Sequence, residues 1–239
     1  MADIVFLGSN DVGDMVYDWL IDETDDDVRA LLTEREQLDV IERLKPDYVI
    51  SAGFRYLVPE EILAVPEAGA VNLHLSYLPY NRGMNPNVWG ILEERPAGTT
   101  IHHMTPEFDT GSIIDRRRVD VYPDDTGKTL YDRLCRTQIE QFKTVWPRLR
   151  DGDIDPIPQD SDEGTYHRQE EFIDLWKIDR DEQVRAGDLI DRLRALTFPP
   201  FKNAYFEADG ERYYLELDIT PESEHSDETA DNIPAYEES

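Results

Sequence analysis

The chain has 239 residues, enough to bury a sizeable core without covalent staples, and its single cysteine, Cys135, excludes an intrachain disulfide framework. With 53 Asp and Glu against 24 Lys and Arg, the formal net charge is -29. Such a surface normally repels nucleic acid, and it suits a halophilic protein from a very salty cytoplasm, where screening makes self-repulsion tolerable.

The opening MADIVFLGSN runs straight into a strand pattern. It has no basic segment followed by an apolar one, and no later run reaches membrane-spanning length, so a cytoplasmic location without membrane contact is expected. Short apolar runs then alternate with amphipathic ones, the signature of βαβ units. Strands are predicted at Ile4 to Leu7, Val28 to Leu32, Tyr48 to Ala52, Ala70 to Leu75, Thr99 to Met104 and Ser112 to Val121. The turn Gly8-Ser-Asn-Asp-Val-Gly13 follows a strand but lacks the GxGxxG spacing of a dinucleotide loop.

A helix is predicted over Glu34 to Leu44, where Leu38, Ile41 and Leu44 recur at helical spacing. A longer one runs from Leu130 to Leu149, capped by Thr129, with Leu134, Ile139, Phe142, Val145 and Trp146 on one face. Cys135 falls within that pattern and reads as a core thiol. The predicted class is α/β, a doubly wound and mostly parallel sheet whose ligands sit at the carboxyl ends of strands.

Acidic, proline-containing sequence after Gly152 marks a boundary, giving a larger domain over 1–165 and a small subdomain over 166–220. The latter is predicted to hold helices at Gln169 to Trp176 and Ala186 to Leu196. A hairpin follows, of Ala204 to Glu207 and Tyr213 to Leu217, turning through Ala208-Asp209-Gly210. Residues 221–239 contain no Lys or Arg and little to bury, so a disordered acidic tail is expected.

The run Val71 to Pro79 reads VNLHLSYLP. Alternation along a strand puts Asn72, His74 and Ser76 on one face and Val71, Leu73 and Leu75 on the other. A polar row in a covered sheet is costly unless it is hydrogen-bonded or lines a cleft. Asn can donate to a developing oxyanion, His can move protons and Asp can orient His, which points to acyl transfer with the Asp109-Thr110-Gly111 turn. Taken alone, Asn72 and His74 read first as a buried amide and imidazole satisfied by backbone groups, and it is their surroundings that reverse this.

The surroundings of these residues carry more. The stretch Asn72 to Gly83, its continuation through Met84-Asn85-Pro86-Asn87-Val88-Trp89, and Thr99 to Ile114 with Asp109-Thr110-Gly111 closely resemble the folate-dependent formyltransferase family, which shares Asn-x-His, Ser-x-Leu-Pro ending in Gly, and Asp-Thr-Gly. The resemblance extends to Asp3-Ile-Val-Phe-Leu-Gly8, Val49 to Leu63, Leu149 to Gln159 and Ile190 to Phe201, covering about residues 1–218.

It implies that 1–165 is the catalytic domain and that 10-formyltetrahydrofolate is the co-substrate, with no metal. Asn72 and His74 would stabilise the oxyanion while Asp109 tunes His74. The folate would lie along Phe54, Arg55, Tyr56, Leu57 and Val58 and the loop Thr105, Pro106, Glu107. Glu107 stands where many relatives carry Gly, which bears on that loop's shape.

Ser76, Asn81, Arg82, Asn85, Asn87 and His102 are candidates for holding the acceptor. Arg82 suits a phosphate, and the Asn residues fit turn-building equally. His102 and His103 are adjacent and point to opposite faces, so a metal pair is not expected and only one can reach the cleft.

The variant Tyr77 to Asn87 followed by Trp89 looks most like the small sugar N-formyltransferases, whose acceptor is a nucleotide-activated amino sugar. Little follows the linker helix here beyond a hairpin, whereas methionyl-tRNA formyltransferase carries a larger basic domain, so tRNA is the less favoured partner. Two rival readings come from other classes: a 10-formyltetrahydrofolate deformylase, which could use the same three residues with water as nucleophile, and a non-catalytic folate or nucleotide sensor, against which the intact Asn72, His74 and Asp109 speak. A homodimer is compatible with the sugar N-formyltransferase reading.

Overall fold

The computed structural model describes residues 1–160 and 163–224. The tail expected over 221–239 therefore lies, from residue 225 on, outside the described residues. Six strands form the main sheet: β1 (Asp3–Leu7), β2 (Asp27–Leu32), β3 (Tyr48–Ala52), β4 (Gly69–His74), β6 (Gly98–His103) and β7 (Ile113–Arg118), in the order β2-β1-β3-β4-β6-β7. β1 pairs in parallel with β2 and β3, and β3 with β4; β6 runs antiparallel to both β4 and β7.

The central strands β1 and β3 are almost wholly buried because both faces are covered, whereas the edge strands β2 and β7 carry exposed polar residues. Ile4, Phe6, Ile50, Val71 and Leu73 pack into one core with α1 (Asp11–Glu23) and α5 (Gly127–Arg150), while Val5, Leu7, Val49 and Ala70 form a second with α2 (Asp39–Leu44) and α3 (Glu60–Leu63). Polarity returns at β4 and β6, where α2 and α3 no longer reach.

α1 is not among the elements that the sequence predicts. The Asn10 side chain accepts from Gly13 N at 2.8 Å, and Val12, Val16 and Leu20 recur on the buried face. α3 and α4 (Pro86–Leu92) are likewise additions. The Glu34 to Leu44 segment is a 3-10 turn at Arg35–Gln37 followed by the shorter α2. Gln37 Oε1 accepts from the N–H groups of Thr33 and Glu34 at 2.8 and 3.0 Å and holds the entry tight.

The long helix starts at Gly127 rather than Leu130. Thr126 caps it, and Thr129 reaches back to the Thr126 N–H at 2.9 Å, forming a reciprocal capping box. The strand expected over Ser112 to Val121 stops at Arg118, because an Asp125-bound turn at Tyr122 interrupts it.

Beyond α5 come β8 (Tyr166–His167), which pairs with β5 (Arg82–Gly83), then α6 (Gln169–Asp174) and α7 (Ala186–Leu196). Two short antiparallel pairs follow: β9 (Thr197–Phe198) with β10 (Phe201–Lys202), and β11 (Tyr205–Ala208) with β12 (Glu211–Tyr214). The latter hairpin turns more tightly than expected: its turn contains only Asp209 and Gly210, both at positive φ, so Ala208 pairs directly with Glu211 and β12 begins at Glu211 rather than Tyr213. Among the described residues no helix is long and apolar enough to cross a membrane.

Candidate active site

In the antiparallel register of β4 and β6, Asn72 lies opposite His102 and His74 opposite Thr100. Alternation puts all four on the sheet face that carries Ala70, beyond the cover of α2 and α3. Thr100 is satisfied locally: its hydroxyl donates to Ser76 O at 2.7 Å and accepts from Leu78 N at 3.1 Å. The other three converge with Asp109, which the β6–β7 loop folds back over the strands at a left-handed φ of 56°.

Asp109 Oδ1 lies 3.7 Å from His74 Nδ1, 3.5 Å from His102 Nε2 and 3.4 Å from Asn72 Nδ2. Its second oxygen accepts from Gly83 N at 2.9 Å. The carboxylate is 8% exposed. Burial works against its charge, but the His74 and His102 rings in their protonated forms, with the Gly83 N–H, hold the carboxyl well below the usual carboxylate range. Gln159 Nε2 ties the backbone of the turn by donating to the carbonyls of Asp109 and Gly111.

Backbone carbonyls choose the tautomers of both rings, since a carbonyl can only accept. His74 Nε2 lies 3.1 Å from Asn81 O and therefore carries a hydrogen, leaving Nδ1 toward Asp109. His102 Nδ1 lies 2.8 Å from His103 O, so its Nε2 is free to accept from Asn72 Nδ2 at 3.2 Å. Both hydrogens of the Asn72 amide thus point into the cluster through long bonds. His103 takes the other direction, beside Gly69, and burial pulls its ring below the ordinary imidazole value.

A cavity of about 310 Å³ opens on this cluster, lined by Asn72, His74, His102 and Asp109. On one side stand Phe54, Arg55, Tyr56, Leu57 and Val58 with Thr105 and Glu107; on the other stand Asn85 and Asn87. Pro106 and Arg82 do not line it, although both adjoin residues that do. Ser76 and Asn81, 2% and 1% exposed, do not line it either. Asn81 is committed to the protein itself, donating to Thr165 Oγ1 through its N–H at 2.8 Å and accepting from the same hydroxyl on its side-chain oxygen at 3.0 Å. Thr105 shapes the loop that Glu107 enters by donating to the Glu107 carbonyl at 3.0 Å.

A second cavity, of about 460 Å³, shares Asn85, Asn87 and Tyr131 with the first and continues between Phe172, Trp176, Phe198, Phe201 and Asn203, with Asp11 at its wall. Among the described residues no group of three or more His, Cys, Asp or Glu is arranged to hold a metal ion.

The formyl transferase family model matches residues 22–145, and a second model, the N-formyltransferase dimerization C-terminal domain, matches 171–221. The chain belongs to the formyl transferase family. It is 32% identical over 180 residues to a methionyl-tRNA formyltransferase from Bacillus pumilus, a match that covers 73% of this chain and 54% of the relative. It thus spans about half the length of the curated relatives it matches.

Solved structures agree over more of their length. A 4-N formyltransferase from Francisella tularensis superposes with a TM-score of 0.84 at 25% identity, covering 92% of this chain and 98% of that one. A formyltransferase from Anoxybacillus kamchatkensis, solved with UDP-4,6-dideoxy-4-formamido-L-AltNAc and tetrahydrofolate, superposes with a TM-score of 0.62 at 34% identity, covering 72% and 90%.

Several residues of this family member escape a reading of the sequence. Gln159 and Thr165 hold the site through backbone contacts 50 and 84 residues away, which no local pattern displays. Tyr131, Phe172, Trp176, Phe198 and Phe201 look like ordinary core positions; only their convergence distinguishes them. Asn10, three residues before Gly13, carries a legible signal as a helix cap.

Proposed function

We propose that this protein transfers the formyl group of 10-formyltetrahydrofolate to an amino group of a nucleotide-activated amino sugar. The observation that carries the choice of acceptor is the likeness to the Anoxybacillus formyltransferase solved with UDP-4,6-dideoxy-4-formamido-L-AltNAc and tetrahydrofolate, 34% identical with 90% of that chain covered, together with a second cavity that opens off the first at Asn85 and Asn87. The tRNA reading is supported by the Bacillus relative, 32% identical over 54% of its length.

In this reading the folate occupies the first cavity between the Phe54–Val58 loop and Thr105 and Glu107, and supplies the formyl carbon. The amine attacks that carbon directly, a tetrahedral oxyanion forms, and the folate nitrogen leaves with a proton. Asn72 turns its amide N–H from Asp109 to the oxyanion, a step eased by the 3.4 Å length of the bond it gives up. His74 Nδ1 handles the proton, and Asp109 orients the ring and stabilises its charged form. His102 holds Asn72. Asn85 and Asn87 receive the sugar where the two cavities meet, and the aromatic walls of the second cavity hold the nucleotide.

The site belongs to a catalytic domain over 1–165. The 166–220 subdomain, which carries the dimerization match at 171–221, joins two copies as a homodimer. A cytoplasmic location follows from the co-substrate.

The deciding experiment incubates the protein with 10-formyltetrahydrofolate and a panel of amino-sugar nucleotides, with charged initiator tRNA alongside, and follows tetrahydrofolate release. Release dependent on an amino sugar is expected. Release dependent on tRNA, or formate release without any amine, overturns the acceptor in favour of a methionyl-tRNA formyltransferase or a deformylase.

A further inference from the structure

His167 lines neither cavity, yet it is the most constrained side chain in the segment that crosses over the site. Its ring stacks on Trp89 with centroids 3.9 Å apart and planes 11° from parallel. Nε2 lies 3.0 Å from Glu93 Oε1 and Nδ1 lies 3.3 Å from Glu171 Oε2, so each ring nitrogen faces a carboxylate from a different helix end. Both are approaches at ion-pair distance: Nε2 and Glu93 are not aligned as a hydrogen bond, and Glu171 Oε2 also accepts from the Arg168 N–H at 2.9 Å. A solvated surface histidine needs neither arrangement, and its side chain here is only 12% exposed.

The backbone on either side of this ring holds the loop over the site. Thr165 O accepts from Arg82 N and His167 O from Met84 N, both at 3.0 Å, forming the β5·β8 pair. Trp89 closes the same unit by donating from Nε1 to Met84 O at 2.9 Å. Gly83 sits at a φ of 88°, and a Cβ there would collide with His167 O, so loop and strap fit without slack. From this loop come the two backbone groups that set the proton-handling pair: Asn81 O on His74 Nε2 and Gly83 N–H on Asp109 Oδ2.

We infer that His167 is a positioning residue for formyl transfer: clamped between Trp89, Glu93 and Glu171, it fixes the 81–83 loop and through it the geometry of His74 and Asp109. The inference rests on the roles given to those two residues above. His167 touches no reacting atom and acts only through the loop. Small displacements of such supports lower turnover far more than they lower ligand binding.

The test pairs amide hydrogen exchange with steady-state kinetics. In H167A, exchange at the Arg82–Met84 amides is expected to rise by about tenfold or more, and kcat to fall by about tenfold or more, with KM for 10-formyltetrahydrofolate within about twofold of wild type. H167F keeps the stack and loses the nitrogens, and is expected to recover part of both losses. The double variant E93Q/E171Q keeps the His167 ring, and the side-chain amide oxygen that E171Q retains can still accept from the Arg168 N–H, so it carries the same test should H167A not fold.

Unchanged exchange at Arg82–Met84 overturns the inference, as does faster exchange with undiminished kcat or a loss confined to KM. A wild-type enzyme inactive on every acceptor refutes the acceptor assignment instead. The exchange of Arg82–Met84 then decides the clamp by itself.

Discussion

His74 and Asp109 face each other across 3.7 Å, Nδ1 to Oδ1, while the far nitrogen of the same ring is held 3.1 Å from the Asn81 carbonyl. The imidazole is therefore fixed at both ends by groups that cannot donate to it. The Asn81 carbonyl calls for a hydrogen on Nε2, which turns Nδ1 toward the carboxylate.

This makes the carboxylate's charge, more than its shape, the property that matters. Asp109→Asn keeps an oxygen for the Gly83 N–H but offers His74 no charge, and His74→Ala removes the proton carrier. Each is expected to lower turnover by about 10² or more while leaving folate affinity within a small factor. Unaltered turnover in either variant, measured as tetrahydrofolate release, contradicts the assigned roles.

A second expectation concerns acid. The Asp109 carboxyl is held below its ordinary value of 3.8 in the folded protein. A depressed folded-state value means that the carboxylate stabilises the fold fully above the unfolded value and that this contribution is lost as pH falls through the folded one. Wild type and Asp109→Asn should thus keep a constant stability difference from pH 8 down to about pH 5, and the difference should shrink below about pH 4. Urea midpoints across that range check this, and a difference that changes between pH 8 and 5 contradicts it.

Gly53 ends β3 at a φ of 76°, and a Cβ there would collide with the Asn10 side chain that caps α1. Gly53→Ala should cost about 1–3 kcal/mol in chemical denaturation. It should also weaken folate binding, because the same bend launches the Phe54–Val58 loop. A variant of wild-type stability would show that the bend relaxes freely.

Cys135 gives the opposite kind of prediction. Burial pushes its thiol up to about 12, so at neutral pH it is protonated within α5 and far from acting as a nucleophile. Disulfide reagents should leave it unreacted in the native protein and label it on unfolding, and Cys135→Ala should retain full turnover. Rapid native labelling, or lost activity, would assign the thiol a function.

The net charge of -29 makes salt a stabiliser. Raising KCl from about 0.1 M to 1 M shortens the screening length from about 10 to 3 Å, and the melting temperature is expected to rise as self-repulsion fades. A fall in melting temperature would remove the connection drawn between acidity and a salty habitat.

The strands and the Asn72/His74 pair are legible in the sequence because each depends on neighbours within a few residues, whereas Asp109, 37 residues from Asn72, is tied to them in the sequence only through the family resemblance. Asn72 and His74 stand out because two polar side chains share a face of an otherwise apolar strand, and β1, β3 and β6 lie within a residue of where alternation and apolar runs place them. What escapes depends on the backbone of distant segments. Asn81 reads as a ligand-binding amide because an exposed-type residue in a turn carries no sign that its carbonyl faces a histidine and its side chain a threonine 84 residues on. The Ala204 to Leu217 hairpin turns more tightly than its sequence suggests, since nothing local announces whether Ala208 belongs to the turn or to the strand.

Gln159, which grips the Asp109 turn, and Thr165, which grips Asn81, come late in the chain. Asn72, His74 and Asp109 are all delivered within the first half of the sequence, yet the backbone groups that aim them are tied down only by residues 159–167. The proposed acid–base group is thus a late product of folding, complete only when a distant strap has closed over strands laid down long before it.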